Sequence, residues 1–398
     1  MVLAEGVERD VGIDSPRGWA VVASAFLSMF VVYGVVYSFG TFFDSMAEDF
    51  GTGKGATALM FSITTAWYFG LGLVSGRIAD RVGPRPVLVV AAVVLGVALL
   101  LTSRVQTIWL GYITYGIGVG IAVACAYVPM VAAVGGWFLR RRTTALGVAV
   151  AGIGVGTLVV APISERLIDA HGWRTTYVVL GIGGTCLLLV ASLGASRPPV
   201  TIVQEPVALG RVIRERAFVI LYVTTALMSA SLFTPFVFIK SYATDRGIDD
   251  GPAAALVGVI GASSVIGRLV LGGLGARLGA TRLMQLSFIV MTASFVLWLT
   301  ASDSYARLAV FAVVMGVAYG GFIALMPAVT AGLFGTVGLG AILGALYTAA
   351  AVGGLAGPPV IGAVIDGVSY GAGIVVAMVI TAASTAVLLT LRPAPSER

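Results

Sequence analysis

The feature that most constrains this 398-residue sequence is a series of long apolar stretches, each about 20 residues long. Only 11% of the residues are charged, 59% are hydrophobic, and the mean hydropathy is +1.03. Soluble domains carry about 25% charged residues, so the composition indicates an integral membrane protein. A transmembrane barrel would instead show short segments of alternating polarity. The sequence therefore predicts an all-α membrane protein.

Twelve such stretches predict twelve transmembrane helices in two six-helix halves around a central cavity. The longest polar interruption separates the halves and contains Pro198, Pro199 and Pro206. The predicted domains are a cytoplasmic N-terminus (1–18), an N-terminal six-helix bundle (19–194), a cytoplasmic linker (195–216), a C-terminal six-helix bundle (217–391) and a cytoplasmic tail (392–398). The predicted helices are 19–43, 57–78, 87–102, 109–134, 144–167, 175–193, 217–243, 252–275, 283–301, 306–334, 341–365 and 370–391.

The distribution of Lys and Arg predicts the orientation in the membrane. A cytoplasmic N-terminus places sixteen of these residues on the cytoplasmic side and seven on the opposite side. Short loops rich in positive charge stay in the cytoplasm. No signal-peptide pattern precedes the first stretch, so we expect that helix to remain in the membrane. The sequence thus predicts a multi-pass protein of the cell inner membrane with both termini cytoplasmic, and its net charge of +6 requires no nucleic-acid partner.

The two halves of the sequence repeat each other at a spacing of about 197 residues. The segment GRIADRVG at 76–83 recurs as GGLGARLG at 272–279, and PISERLID at 162–169 recurs as PVIGAVID at 359–366. Two matches at nearly the same offset would be rare by chance. Parallel six-helix repeats with a binding site between them at the bilayer midplane are typical of one large class of secondary transporters.

The loop GRIADRVGPR at 76–85 resembles the signature of the major facilitator superfamily between its second and third helices. In that family the acid and the arginine stabilise the outward-open state by binding across to helix ends of the other half, as expected for charges near helix termini. The second copy of the loop has Ala276 in place of the acid, so its gate is expected to be weaker or built differently. The resemblance implies gating roles for Asp80, Arg81, Arg85 and Arg277.

Further segments are similar to the monocarboxylate transporter family. The segment WFLRRRTTALGVAVAG at 137–152 resembles the connection between that family's fourth and fifth helices. Residues 18–20 (GWA), 127–129 (YVP) and 354–359 (GLAGPP) also resemble this family and its bacterial oxalate/formate-exchanging relatives. The resemblance covers nearly the whole chain and implies transport of small carboxylates.

Arg268 is the only charged residue deep within a membrane-length segment, the run 253–271. An unpaired guanidinium in hydrocarbon costs from about 2.5 to more than 10 kcal/mol, so it must face a wet cavity or an anion. In the family, an arginine of the eighth helix binds the substrate carboxylate, which a guanidinium can hold through two parallel hydrogen bonds. The alternative is an arginine that snorkels to the cytoplasmic interface, although Arg277 and Arg282 already supply charge there.

The surroundings of Arg268 depart from the family pattern. The family commonly has an acid or amide one turn earlier, where this chain has Ser264, and animal members have a lysine in the first helix near the position of Tyr37. A second fixed cation in the eleventh helix, as oxalate exchangers use, is also absent. One cation implies one carboxylate. The other predicted substrate-binding residues are Ser264, Tyr33, Tyr37, Tyr127, Tyr319 and Tyr347, with Leu27, Val31, Leu146 and Phe322 as apolar walls.

The sequence predicts a secondary active transporter that moves lactate-like or pyruvate-like monocarboxylates by alternating access with a proton. A co-transported proton cancels the cost of about 2.3 kcal/mol per 100 mV that a monoanion meets when it enters a negative interior. The proton is expected to travel with the substrate carboxylate or through a peripheral acid, with Asp44 as the nearest candidate. Glu165, Asp169 and Asp366 are interpreted as interfacial acids.

Three alternative functions remain open from the residues alone. Two are transport functions of the same superfamily, namely an organic anion exchanger and an efflux carrier. The third is a membrane sensor that binds a carboxylate without moving it. No nucleophile–base pair, phosphate-binding loop or metal cluster is evident in the sequence, so enzyme activity, a cofactor or a metal is not expected. The expected partners are a small monocarboxylate anion, a proton and the lipid bilayer, and the protein is expected to be monomeric.

Overall fold

The computed structural model describes residues 14–138, 140–199, 209–335 and 338–392, and these residues contain helices but no strand. The predicted all-α architecture is therefore confirmed. Parts of the predicted N-terminus (1–13), linker (200–208) and tail (393–398) lie outside the described residues.

We number the helical segments of the described residues that overlap the twelve predicted stretches α1 to α12. Among the described residues, ten helices are long and apolar enough to cross a membrane, and α2 qualifies as an eleventh in the form of a bent pair. The long helix Arg142–Gly194 is broken at Gly172, where φ is 78°, and we treat its two parts as α5 and α6. The segments are Pro16–Phe50 (α1), Lys54–Val82 (α2), Pro84–Thr102 (α3), Ile108–Trp137 (α4), 142–171 (α5), 173–194 (α6), Arg216–Thr244 (α7), Asp250–Leu278 (α8), Ala280–Leu299 (α9), Tyr305–Phe334 (α10), Leu339–Gly367 (α11) and Tyr370–Leu389 (α12).

Two glycines form equivalent turns in the two halves. Gly83 joins α2 to α3 with φ of 95°, and Gly279 joins α8 to α9 with φ of 89°. Side chains other than hydrogen rarely tolerate this backbone conformation, which explains why both copies of the signature loop end in glycine. Each turn reverses the chain within one residue and returns the next helix antiparallel to the last.

The two halves meet along two long seams, one between α5 and α8 and the other between α2 and α11. We call the end of the bundle where α1 begins and α12 ends the terminal face. The opposite end, which contains the turns at 51–53 and at Gly172, is the distal face. Both α1 and α7 are interrupted part of the way along, at Ser38 and Phe233 respectively, and their second segments meet at the distal face.

The distal face is closed by α1 and α7. Gly40 lies so close to α7 that a Cβ placed there would be 2.5 Å from the carbonyl oxygen of Phe236. Beyond it, the rings of Phe43 and Phe238 pack edge to face with centroids 5.3 Å apart. Glycine at position 40 therefore permits an approach that seals the space between the halves on this side.

Candidate functional site

Arg268 lies on α8, ten residues before that helix ends at Leu278, and its side chain is half-buried. Its Nη1 donates a hydrogen bond to the carbonyl oxygen of Val150 in α5 at 3.2 Å. Its guanidinium carbon is 5.7 Å from the ring centre of Tyr319. The Nε atom is buried and has no hydrogen-bond partner, and within the described ranges no carboxylate forms an ion pair with the side chain. The guanidinium thus points toward α5 and retains unused donor capacity.

Small residues bring α8 close enough to α5 for this contact. A Cβ on Gly154 of α5 would lie 2.5 Å from the carbonyl oxygen of Gly261 in α8, and a Cβ on Gly261 would lie 2.7 Å from the Cβ of Thr157. Helices that carry glycine at their crossing can approach until their backbones touch. This crossing lies two helical turns from Arg268, so it holds the guanidinium at the boundary between the halves.

Aromatic side chains surround the space beside Arg268. The hydroxyl groups of Tyr37 and Tyr319 are 3.2 Å apart, which links α1 to α10 across the two halves. The Tyr37 ring stacks on Phe236 of α7 with centroids 4.4 Å apart. Tyr33 packs against Tyr127 with centroids 5.5 Å apart. The predicted tyrosines of α1, α4 and α10 therefore come together.

Tyr347, the remaining predicted tyrosine, lies on α11 at the edge of this cluster. Its ring centroid is 6.0 Å from that of Phe69 in α2, and its hydroxyl is within electrostatic range of Arg268. The guanidinium is also within electrostatic range of Tyr33 and Tyr127. We call Arg268 and these five tyrosines, numbered 33, 37, 127, 319 and 347, the central cluster.

Exposure within the central cluster falls with distance from the terminal face. Tyr127 lies ten residues before the terminal end of α4 and Tyr347 eight residues after the start of α11, and both are half-buried. Tyr319 lies fifteen residues from the end of α10 and is 5% exposed. Tyr37 is deepest, twenty-one residues into α1, and is 2% exposed. Solvent therefore reaches the central cluster more readily from the terminal face than from the distal face, where Tyr37 and its neighbours are buried.

The sequence analysis missed three aromatic residues that adjoin the central cluster, namely Tyr68, Phe69 and Phe236. The Tyr68 ring lies 6.0 Å from that of Tyr33 and is 3% exposed. The internal repeat could have indicated Tyr68. Gly76 and Gly272 define an offset of 196 residues, and with this offset Tyr68 in the first half is equivalent to Ser264, a predicted binding residue, in the second half. Phe236 could be found only through the contact of α7 with α1.

Several residues predicted to line the cavity contact other helices. The Ser264 hydroxyl donates to the carbonyl oxygen of Gly261 at 2.7 Å and is buried against α10. The ring of Phe322 packs edge to face on Phe288 of α9. Val31 faces Gly184 of α6, where an added Cβ would lie 3.3 Å from its Cγ1. Leu27 and Leu146 are partly buried against the hydrophobic core.

The four residues predicted to gate the cavity are all exposed at the terminal face. Asp80 and Arg81 lie near the end of α2, Arg85 lies at the start of α3, and Arg277 lies at the end of α8. Arg197, which follows α6, donates from Nη2 to the carbonyl oxygen of Arg81 at 2.5 Å. This contact lies within the first half and does not cross between the halves.

A second cation lies between the halves at the distal face. The Nζ atom of Lys240 in α7 is 3.1 Å from Oε1 of Glu165 in α5 and 3.0 Å from Oδ1 of Asp250 at the start of α8. We call these three residues the Lys240 triad. Glu165, Asp169 and Asp250 offer carboxylate oxygens within 4.8 Å of one another, a spacing that could hold a metal ion. Because the Lys240 ammonium already bridges two of the three, a cation is present without a metal.

Asp44, the predicted proton-coupling candidate, belongs to the same face. Both of its carboxylate oxygens accept a hydrogen bond from the Ser241 hydroxyl at 2.7 Å. Asp44 thus ties α1 to α7 at the distal closure, in a region separate from the central cluster.

The chain is similar in sequence and in fold to one large class of protein. The model of the Major Facilitator Superfamily matches residues 25–304 and 221–398. The solved structure of a bacterial homolog to the human lysosomal transporter Spinster, in an inward-facing and occupied conformation, has the same fold. Its TM-score is 0.75 with 14% sequence identity, and the match covers 94% of this chain and 95% of that one. The chain is therefore a multi-pass membrane transporter of this superfamily and not an enzyme.

More similar relatives define the branch. Monocarboxylate transporter 3 of Rattus norvegicus is 30% identical over 382 residues, which cover 91% of this chain and 77% of the relative. Monocarboxylate transporter 13 of Rattus norvegicus is 29% identical over 394 residues, which cover 97% of this chain and 91% of the relative. The chain belongs to the monocarboxylate transporter family of the major facilitator superfamily.

Proposed function

We propose that this protein is a secondary active transporter that moves small monocarboxylates, such as lactate or pyruvate, by alternating access together with one proton. The observation that carries the proposal is the half-buried Arg268 guanidinium, which lies between the halves and pairs with no carboxylate in the described part of the chain. A fixed cation in such a place is stable only beside water or an anion. Several relatives are named monocarboxylate transporters, which supports this class of anion.

The central cluster can hold one carboxylate and little further charge. Arginine presents a planar fork of donors that matches the two oxygens of a carboxylate, whereas lysine offers only a point charge. The Tyr37 and Tyr319 hydroxyls, 3.2 Å apart, can exchange their mutual hydrogen bond for bonds to a hydroxyl or keto oxygen of the substrate. Aromatic walls exclude water from the ion pair, which strengthens it.

The charge distribution supports a cytoplasmic terminal face. Arg77, Arg81, Arg85, Arg277 and Arg282 all lie at that face, and positively charged loops are retained in the cytoplasm. With this orientation the described conformation is open to the cytoplasm and closed to the exterior. The protein then lies in the cell inner membrane with both termini inside and functions as a monomer.

The gating residues have a defined task in this scheme. When the distal face opens, Asp80, Arg81 and Arg85 must hold the terminal face shut by binding helix ends of the other half. Arg277, whose loop has lost its acid, makes the weaker second contact. In the present conformation these side chains are exposed, as a released gate requires.

The proton requires a separate carrier because Arg268 does not release its proton under biological conditions. Protonation of the substrate carboxylate beside Arg268 weakens the ion pair and eases release into the cytoplasm. The remaining candidate from the sequence is Asp44, which lies at the distal closure and accepts from Ser241.

Uptake of labelled L-lactate by proteoliposomes tests the proposal. The purified protein is reconstituted, and initial uptake is measured with an inward proton gradient, without a gradient, and in protein-free liposomes, at zero membrane potential. A symporter accumulates lactate only when the gradient is present. Equal rates with and without the gradient would exclude symport.

The same assay separates the alternative functions. Uptake that requires lactate inside the vesicles would indicate an exchanger, and preference for uncharged hydrophobic compounds would indicate an efflux carrier. Binding of lactate without uptake under any gradient would indicate a sensor.

A further inference from the structure

The Lys240 triad joins the two halves at the distal face through a buried ion pair. The Lys240 and Glu165 side chains are 8% and 3% exposed, whereas the Asp250 side chain is 54% exposed. Lys240 and Asp250 belong to the second half, and Glu165 alone belongs to the first. The bond between Lys240 and Glu165 is therefore the one that must break before α5 and α7 can separate on this side.

The triad contains one positive and two negative groups, so it carries a net negative charge when all three are ionised. Asp250 lies at the start of α8, where solvent and the helix dipole stabilise its charge. Glu165 has neither advantage, and its Oε2 atom is buried without a hydrogen-bond partner. A buried carboxylate oxygen without a donor is costly, and a proton bound there would remove the surplus charge.

A cavity lies next to the triad. It has a volume of about 620 Å³, opens at the distal face, and is lined by residues that include Pro162, Arg166, Asp249 and Tyr305. Arg166 follows Glu165 in the chain, and Asp249 precedes Asp250. Solvent therefore lies beside the chain neighbours of two triad residues and reaches the triad at the exposed Asp250.

We propose that Glu165 is a proton-binding residue that operates a lock between the halves. When Glu165 is ionised, Lys240 bridges it to Asp250 and holds the distal face closed. When a proton from the distal cavity binds to Glu165, the ammonium keeps only Asp250, the cross-half ion pair is lost, and α5 can move away from α7 and α8. On closure the ammonium returns to Glu165 and the proton leaves to the cavity.

This lock is distinct from the proton that accompanies substrate, and its physiological meaning rests on the proposed transport function. An acidic exterior would then expose Arg268 to the side where protons are abundant. The transporter would open outward most readily when symport is most favourable.

Other charged groups lie near the lock. Asp169 lies one turn beyond Glu165 on the same helix and is exposed. Asp44 accepts a hydrogen bond from Ser241, which follows Lys240 in the chain. Its carboxylate lies within electrostatic range of Lys54, Asp245 and Lys240. Of the acids in this region, Glu165 alone is both more than nine-tenths buried and bonded across the halves to a lysine.

Spin-label distance measurements in lipid nanodiscs test the lock without any substrate. Cysteines are introduced at the exposed positions Ala170 in α5 and Gly251 in α8, in a background where Cys125 and Cys186 are serine. A side chain at Gly251 meets no atom within 4 Å, so this substitution is sterically tolerated. We expect a longer-distance population that grows as the pH falls from about 8 to about 5.

Three variants define the result. Glu165→Gln should show the longer-distance population at every pH, whereas the control Asp366→Asn, on the equivalent seam between α2 and α11, should titrate like the parent protein. Asp250→Asn should move the transition to lower pH by about one unit, because removal of a like charge favours the ionised form of Glu165. Asp250→Asn keeps the test valid if Glu165→Gln does not fold.

Two results would overturn the lock. One is a parent distance distribution that does not change with pH, and the other is a transition that Asp250→Asn leaves in place. A failure of lactate uptake with a pH-dependent distance would contradict the proposed function and leave the lock intact.

Discussion

Two cations lie between the halves of this transporter, and their partners differ. Lys240 at the distal face is bound by two carboxylates at 3.1 and 3.0 Å, while Arg268 in the central cluster has one backbone carbonyl at 3.2 Å and an aromatic ring. A cation that already holds its anions joins the halves together. A cation without an anion is free to bind one that enters from solvent, so the difference supports the proposed roles of Lys240 in closure and of Arg268 in substrate binding.

The internal repeat sharpens the contrast at the distal face. The residue equivalent to Glu165 is Gly362 in α11, which packs so closely on α2 that a Cβ there would lie 2.8 Å from the Cα of Gly55. Asp366, equivalent to Asp169, is exposed and accepts from the Gly55 amide at 3.1 Å. One seam is therefore closed by glycine packing and a helix cap, and the other by a buried ion pair that a proton can break.

The largest effect is expected from Arg268→Ala, which removes the cation that has no carboxylate partner. Initial lactate uptake should fall by about 100-fold or more, since a hydrogen-bonded charge pair in a dry site contributes several kcal/mol. Arg268→Lys should not restore it, because an ammonium lacks the planar fork. The matched control is Arg282→Ala, an exposed arginine at the start of α9. Normal uptake by the alanine variant would remove Arg268 from the site.

A smaller effect is expected at the terminal face from Asp80→Asn, which tests whether closure there is separate from binding. Uptake should fall about tenfold, because the gate loses a charged contact with a helix end. Lactate affinity, measured by calorimetry, should stay within about twofold because Asp80 is exposed and lies away from the cavity. Lost affinity with an unchanged translocation rate would place Asp80 in the binding site instead.

The next prediction concerns the pH dependence of uptake, which should differ between a variant in the α5–α8 seam and one in the α2–α11 seam. In Glu165→Gln the ammonium of Lys240 has no ionised partner across the halves, so uptake at an external pH of about 8 should approach the rate at pH 6. The parent protein should differ several-fold between these values. Asp366→Asn, on the equivalent seam, should retain the parent profile. A flattened profile in both variants would mean that the seams do not differ in the way described.

The smallest effect is expected from Tyr319→Phe, which keeps the ring beside Arg268 and removes only the hydroxyl bonded to Tyr37. The KM for lactate should rise about two- to tenfold, in line with one hydrogen bond of about 0.5–1.5 kcal/mol. The control Tyr222→Phe removes a hydroxyl that pairs with Thr348 inside the second half and should leave KM unchanged. Equal effects of both substitutions would point to general packing.

Much of the fold could be predicted because hydropathy reports burial in the bilayer directly. The predicted ends were less accurate where a helix continues past its apolar part. The first helix was predicted to end at residue 43 but extends to Phe50 and includes Glu48 and Asp49. The last residues of this helix extend beyond the apolar core of the membrane, where polar side chains are tolerated and the helix can continue.

Arg268 and the five tyrosines could be singled out because charged and phenolic side chains are rare in membrane spans, and the structure brings them together, while their roles in binding stay predictions. Val31 and Phe322 lie on helices that are apolar on every side, so periodicity does not distinguish a cavity face from the bundle interior. Glu165 was interpreted as interfacial, and its burial beside Lys240 could not be foreseen because the two residues lie in different halves.

The most direct test of substrate selection by Arg268 is a calorimetric comparison of L-lactate with L-lactamide, its neutral amide of nearly the same shape. If a single guanidinium recognises the carboxylate, the parent protein should bind lactate and should bind lactamide at least about 100-fold more weakly, and Arg268→Ala should bind neither. Comparable affinities for lactate and lactamide in the parent protein would contradict the assignment of Arg268 as the carboxylate-binding residue.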